Sequence, residues 1–322
     1  MLLLRKIDWE NKMKHKNRYG LIAIIITSIL LLPSAEISAN ENYYSNELGL
    51  KLSYENYAYL TQFVNSSDLD VFTQEEADYM IEHVENDGVE TETKYIMTQI
   101  SSKDGSVLTE EYLSEAEMKD TLNGRNIKVS SNDEGISLYG YDPSKRYATI
   151  TTDMKKIELN MYSVSASVKK VMLKCTWLSI PKCKSYDLIG FRVPGYYSGL
   201  TIDINGTENV VGYQYYDGQK IKYDHTSDNI KKNGRGIGVS MNIVDSVSKS
   251  LSMSFSVNFG TSKDPFAVMG SYQHAVKNLS LSKSQRYDIQ VLGMGDVFKF
   301  KSGVDSYYDN TPGLMVIGSL DV

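Results

Sequence analysis

Residues 246–260 read SVSKSLSMSFSVNFG, and from Ser250 onward small polar and apolar residues change places at every step. Leu251, Met253, Phe255, Val257 and Phe259 make one row; Ser250, Ser252, Ser254, Ser256 and Asn258 make the other. A period of two belongs to a β-strand, whose successive side chains leave on opposite faces. Two structures share this pattern. In a half-buried strand the apolar row meets a core and the serines face water. In a pore-forming hairpin the apolar row faces lipid and the serines a wet lumen. The same parity holds upstream at Ile237, Val239, Met241 and Ile243, so 237–259 could form such a hairpin around VDSVSKS. A membrane strand needs about 9–11 residues; 251–259 just reaches that length and 237–243 does not. The half-buried strand is the first reading, the membrane hairpin the alternative.

The pattern recurs throughout the C-terminal two thirds. From about residue 126, short β-rich runs separated by turn residues follow one another: 157–168, 170–178, 186–193, 200–204, 237–243, 251–259, 266–276, 286–293 and 314–320. Asn205-Gly206 and Asp217-Gly218 are hairpin dipeptides, because both central positions of a type I′ turn need positive φ. Many short strands at this spacing predict a β-sandwich or barrel.

Residues 40–125 read differently. Ser53 precedes a run in which Tyr57, Leu60, Phe63 and Val64 recur at helical spacing. Thr73-Gln74-Glu75-Glu76 and Ser114-Glu115-Ala116-Glu117 are capping boxes, with Phe72 placed for a hydrophobic staple. Between these helices, TKYIMTQISSKDGSVLTEEYL folds as a hairpin around Lys103-Asp104-Gly105. This part carries 19 Asp/Glu against 5 Lys/Arg, whereas 126–322 carries 18 against 23. Opposite potentials favour docking of the first on the second; a solvated acidic helix face is the plainer alternative. The expected fold is mainly β: a sandwich-like domain over 126–322, preceded by a small acidic α-rich segment over 40–125.

The first 39 residues read as a signal peptide. Lys14, Lys16 and Arg18 precede an apolar run at 21–32, and small residues lead to Ala39. Twelve residues fall short of the roughly 20 that a spanning helix needs. Cleavage after Ala39 is expected, giving a secreted chain with no stable transmembrane segment. The mature net charge of −9 disfavours a nucleic-acid partner, which calls for a basic face. Cys175 and Cys183 are the only cysteines and form a candidate disulfide in an oxidising compartment.

One resemblance sits at residues 169–191, KKVMLKCTWLSIPKCKSYDLIGF. Alternating apolar residues lead to Trp177, then Pro181, then Tyr186 at the start of the next strand. This resembles the opening strands of fibronectin type III and immunoglobulin-like domains, and the likeness implies that Trp177 fills the space between two sheets. The wider layout of signal, acidic helical segment and Ser/Tyr-rich β part resembles exported proteins of unassigned function from Gram-positive bacteria. That resemblance implies no activity.

Chemistry-bearing motifs are sparse. His83, His225 and His274 stand at no metal-ligand spacing such as HExxH, and seven residues separate the two cysteines, the wrong spacing for CxxC. Gly195-Tyr196-Tyr197-Ser198-Gly199 sets its serine one residue late for a nucleophile elbow. Asp203-Ile204-Asn205-Gly206 lacks the downstream glutamate of a calcium loop. No cofactor, metal or catalytic set is expected. Tyrosine is abundant, 24 residues with doublets at 43–44, 196–197, 215–216 and 307–308. Its flat face and polar tip suit sugar or protein surfaces, so Tyr196, Tyr197, Tyr215 and Tyr216 are the candidate ligand-binding residues. The functional expectation is a secreted or surface-associated, non-catalytic binding protein with a cell-surface glycan or protein as partner. A membrane-active β-hairpin protein is the alternative, and a hydrolase without a recognisable motif the third.

Overall fold

A computed structural model describes residues 43–87, 89–101, 106–123, 150–194, 210–244, 249–260, 266–290, 296–309 and 311–318. The expected signal peptide and its cleavage point after Ala39 lie outside these residues. So do the Lys103-Asp104-Gly105 turn, strand candidate 200–204, the Asn205-Gly206 dipeptide, and Tyr196 and Tyr197. The elements described below all belong to the unit Tyr44–Val322.

The protein is mainly β. Its strands are β1 (Tyr44–Ser45), β2 (Lys51–Leu52), β3 (Val89–Ser101), β4 (Val107–Leu113), β5 (Ile150–Ser165), β6 (Val168–Ser179), β7 (Tyr186–Arg192) and β8 (Val211–Tyr216). There follow β9 (Gln219–Asp224), β10 (Ile230–Asn233), β11 (Gly236–Asn242), β12 (Leu251–Gly260), β13 (Phe266–Gln273), β14 (Tyr287–Ile289), β15 (Phe298–Phe300) and β16 (Leu314–Gly318). Seven make one antiparallel sheet in the order β4-β3-β5-β6-β12-β8-β9, and five make another in the order β10-β11-β7-β13-β16. β3 pairs with β5 along its whole length, from Val89↔Tyr162 to Ser101↔Ile150, so strands on either side of residue 125 share one sheet. The 211–224 hairpin turns at Asp217 (φ 47°) and Gly218 (φ 80°), the positive pair that a type I′ turn demands.

The inward rows of the two sheets form one core. Ile157, Leu159 and Met161 of β5, Val171, Leu173 and Cys175 of β6, and the whole apolar row of β12 meet Ile189 and Phe191 of β7 and Val239 and Met241 of β11. Phe255 stacks on Phe191 at 5.6 Å between ring centroids. Trp177, at the end of β6, is 5% exposed and belongs to this core. Residues 180–185, with Pro181, carry the chain from β6 in the large sheet to Tyr186 at the start of β7 in the small one.

Each sheet is also covered on its other face. Residues 44–84 fold over the outer face of the large sheet and bury Leu60, Leu69, Val71, Phe72 and Met80 against Tyr162, Met172, Val211 and Tyr213. This cover contains helix α1 (Tyr54–Leu60), capped by Ser53, a 3-10 turn at Ser66–Val71, and helix α2 (Gln74–Asp87). Its capping box is formed: Thr73 N donates to Glu76 Oε2 at 2.9 Å and Glu76 N to Thr73 Oγ1 at 3.4 Å. The Ser114–Glu117 box likewise starts helix α3 (Glu115–Leu122). Over the small sheet, residues 275–290 and 296–308 pack Tyr287, Ile289, Phe298 and Tyr308 on Leu188 and Met269. The Phe298 ring lies on the paired glycines Gly190 and Gly238, where added Cβ atoms would come within 2.9 and 2.7 Å of it.

Two expectations for the opening stretch change here. β11 and β12 form no hairpin: β11 pairs with β7 and β10, while β12 pairs with β6 and β8 in the opposite sheet. The serine row meets water only in part, with Ser250 exposed and Ser252 half-buried. Ser254 is 1% exposed and Ser256 0%, because the N-terminal cover lies over them. The parity of the strand was right and the solvent side was not.

Candidate functional site

The inward rows are apolar along the middle of their strands and turn charged at one end. On β5 the row Met161, Leu159, Ile157 continues to Lys155 and Asp153; on β6 Leu173 and Cys175 lead to Trp177. On β7 the row Phe191, Ile189 continues to Asp187, and on β13 Val268 and Gly270 lead to Tyr272, followed two residues later by His274. Antiparallel pairing brings the first residues of β5 beside the last of β6, and the first of β7 beside the last of β13. All these groups therefore converge between the sheets at the same end. Asp153, Lys155, Asp187, Tyr272, His274 and Asp309 are each at most 2% exposed.

Asp187 is the hub. Its Oδ1 accepts from His274 Nδ1 at 3.0 Å and from Ala275 N at 2.9 Å, and its Oδ2 accepts from Tyr272 Oη. Trp177 Nε1 donates to Tyr272 Oη at 3.2 Å, and the indole stands edge-on to the His274 ring at 4.7 Å. Lys155 forms a buried ion pair with Asp309 and lies 5.6 Å from the Trp177 ring centre. Asp309 also ties down the backbone, accepting from His274 N at 2.8 Å. On its far side, His274 Nε2 faces Asp153 Oδ2 at 3.8 Å. His274 Nε2 and both Asp153 oxygens are buried without a hydrogen-bond partner, as are Thr98 Oγ1 and Glu110 Oε2. Thr98 pairs directly with Glu110 on β4 and with Asp153 on β5, so these three side chains share one face of the sheet.

Burial alone would lower the pKa of His274, but the Asp187 charge and hydrogen bond outweigh it and the net shift is upward. Burial raises Asp153 against the opposing pull of His274 and Lys155, and it raises Glu110 likewise. Lys155 is desolvated too, yet Asp309 holds its pKa above the ordinary value. The arrangement can hold and release protons. A serine-hydrolase dyad needs a hydroxyl at the imidazole Nε2; here a carboxylate takes that place. Among the described residues, no three His, Cys, Asp or Glu side chains are grouped to hold a metal ion.

A second polar network fastens the N-terminal cover. Glu76 Oε2 pairs with Lys170 Nζ at 3.2 Å and Asp68 Oδ1 with Lys174 Nζ at 3.8 Å. Asp68 Oδ2 accepts from Tyr162 Oη at 2.7 Å, and Asp70 accepts from Tyr44 Oη at 2.7 Å and Tyr215 Oη at 2.8 Å. Acidic groups of residues 44–87 thus meet basic and phenolic groups of the large sheet. The plainer expectation, a solvated acidic face, does not describe Asp68 (0% exposed) or Glu76 (7%).

The tyrosines singled out for binding fall into this architecture. Tyr215 donates to Asp70 under the cover, and Tyr216 packs against the inter-sheet core. Cys175 and Cys183 are not joined; both are free. Cys175 points into the core, where burial raises its thiol pKa well above the ordinary value. Cys183 lies past the end of β6, 4.0 Å from Asn278 Oδ1, with its pKa pushed up to about 12 by burial. His274 was legible only as a lone strand histidine. The signal that could have found the cluster is charge at inward parity, at Asp153, Lys155, Asp187 and His274 alike.

No family model matches the chain, and no curated protein matches it either. No helix among the described residues is long and apolar enough to cross a membrane.

Proposed function

We propose that the protein is exported and acts outside the cell, or at its surface, as a non-catalytic binding protein for a glycan or protein. Its scaffold on this reading is a sandwich-like β domain with an acidic helical cover at its N-terminus. The observation that carries the proposal is the use made of acid–base groups. Asp153, Asp187 and His274, the set nearest to a catalytic one, are at most 2% exposed and join the two sheets. General acid–base catalysis needs such a group within hydrogen-bond reach of substrate. What the fold offers outward is instead an edge strand, β4, with Tyr112 half exposed.

The test is a binding screen of the purified chain against peptidoglycan, cell-surface glycans and surface proteins, run beside a panel of hydrolase substrates and a liposome dye-release assay. Saturable binding that survives in a folded His274→Gln variant supports the reading. Turnover lost in that variant overturns it in favour of an enzyme. Dye release without glycan or protein binding overturns it in favour of the membrane-active alternative.

A further inference from the structure

The buried cluster joins two bodies. Asp153 and Lys155 ride on the large sheet, whereas Asp187, Tyr272, His274 and Asp309 belong to the small sheet and the segment packed on it. Among the polar links that cross between them are three from this cluster: Lys155 to Asp309, Trp177 to Tyr272, and His274 to Asp153. The first two are hydrogen bonded. The third is not: His274 Nε2 and both Asp153 oxygens are buried without a hydrogen-bond partner. Native interiors rarely leave such atoms unpaired, so a proton at this contact has a large effect.

Charge counting shows how large. The ionisable groups facing His274 are Asp153 and Lys155 from β5, Asp187 from β7, and Asp309; Cys175 of β6 and Tyr272 of β13 lie beside Asp187, and Glu110 of β4 stands on the same face as Asp153, across Thr98. With His274 charged and Asp153 neutral, two cations, Lys155 and His274, balance two carboxylates, Asp187 and Asp309. Loss of the first proton leaves one buried carboxylate uncompensated, and loss of the second leaves two. Like charges held out of water repel strongly and are expensive to desolvate.

We propose that Asp153, His274 and Asp187 form a proton-operated clasp between the two sheets, closed while His274 and Asp153 hold their protons and released as these leave. Asp187 fixes the imidazole through Nδ1, and the proton at stake lies between Nε2 and Asp153. Release separates the end of β5 from His274 and opens the route to Trp177 and Cys175. The direction agrees with the electrostatics: both His274 and Asp153 titrate above their ordinary values, so the clasp holds in acid and loosens as pH rises. This goes beyond the binding role proposed above and does not depend on it.

Trp177 reports the clasp directly, because an imidazolium 4.7 Å from an indole quenches its emission. In the full chain carrying Trp9→Phe, Trp177 is the only tryptophan. Emission and acrylamide quenching are measured from pH 5 to 9, with the His274 ring followed by NMR. The expected result is a His274 midpoint above 6.5, a rise in emission through that midpoint, and at least a threefold gain in acrylamide access. Asp153→Asn should lower the midpoint, and His274→Gln should flatten the emission curve. A His274 midpoint at or below 6.5 overturns the proposal, and so does a titration that leaves acrylamide access unchanged. If a variant fails to fold, the two measurements on the chain with the native cluster decide the question.

Discussion

Replacing Ser254 with lysine asks which face of β12 meets solvent. If serines lined a wet face, Ser254→Lys would change stability by no more than about 0.5 kcal/mol, as outward substitutions do. In the structure Ser254 is 1% exposed and sits across from Lys174 on β6 and Tyr213 on β8. A new ammonium there would lie beside an existing one, under a cover that would have to admit three more side-chain heavy atoms. Overpacking costs about 1–3 kcal/mol, and burying a charge without its own partner about 3–5 kcal/mol. The loss should therefore be at least about 3 kcal/mol. With an m-value of about 3 kcal/mol/M in urea, the midpoint falls by about 1 M. Phe255→Ala on the opposite face, which removes a ring stacked on Phe191, should cost about 3–5 kcal/mol. Two neighbouring positions on opposite faces would then both be intolerant, the mark of a strand covered on both sides. A Ser254→Lys midpoint within about 0.2 M of the parent would refute the buried serine row and return that face to solvent.

The cover should depend on its buried ion pair: Glu76→Gln leaves Lys170 without its counter-charge and should cost about 3–5 kcal/mol, whereas Glu76→Leu combined with Lys170→Met should cost much less. Urea melts of the single and double variants check this, and a Glu76→Gln loss no larger than that of the double variant would show that the uncompensated Lys170 charge is not the cause. Thiol titration in denaturant should find two free thiols per chain without reductant, while the native protein reacts slowly at Cys183 and not at Cys175; zero thiols would mean a bridge and a different path for residues 180–185. Stability should fall as pH rises from 6 to 9. His274 has its pKa raised from 6.5, so its contribution is whole below that value and is lost as pH climbs through the folded value; Asp153, raised from 3.8, behaves the same way at lower pH. The difference in urea midpoint between the parent and His274→Gln isolates this part, and a difference that does not shrink with pH would contradict it.

Much of the fold was written in local pattern. Two-residue periodicity placed β6, β7, β11, β12, β13 and β16 within a few residues, since each inward row had to meet a core; it began β5 seven residues late and passed over β10 and β15. The boxes at Thr73 and Ser114 marked helix starts because a cap satisfies backbone amides within four residues of itself. What local pattern could not show was the number of layers. A serine row is consistent with water and also with a polar cover, and only the chain folding back from residues 44–84 decides between them. Charge asymmetry hinted at that return. Its residues could not be named, because Lys170 and Glu76 are 94 positions apart.

The buried cluster was hidden for a related reason. Each member looks ordinary within its own strand: a lysine near a strand start, an aspartate after a tyrosine, a histidine near a strand end. Their meaning comes from parity combined with topology. Asp153 and Lys155 stand on the row that buries Ile157 and Leu159, and Asp187 on the row that buries Ile189 and Phe191. A charge at inward parity near a strand end must meet either solvent or an opposite charge. The antiparallel order closes off the first outcome by bringing four such ends together beneath Trp177. The apolar rows hold the two sheets at a fixed spacing, and the charged ends make that spacing answer to protons.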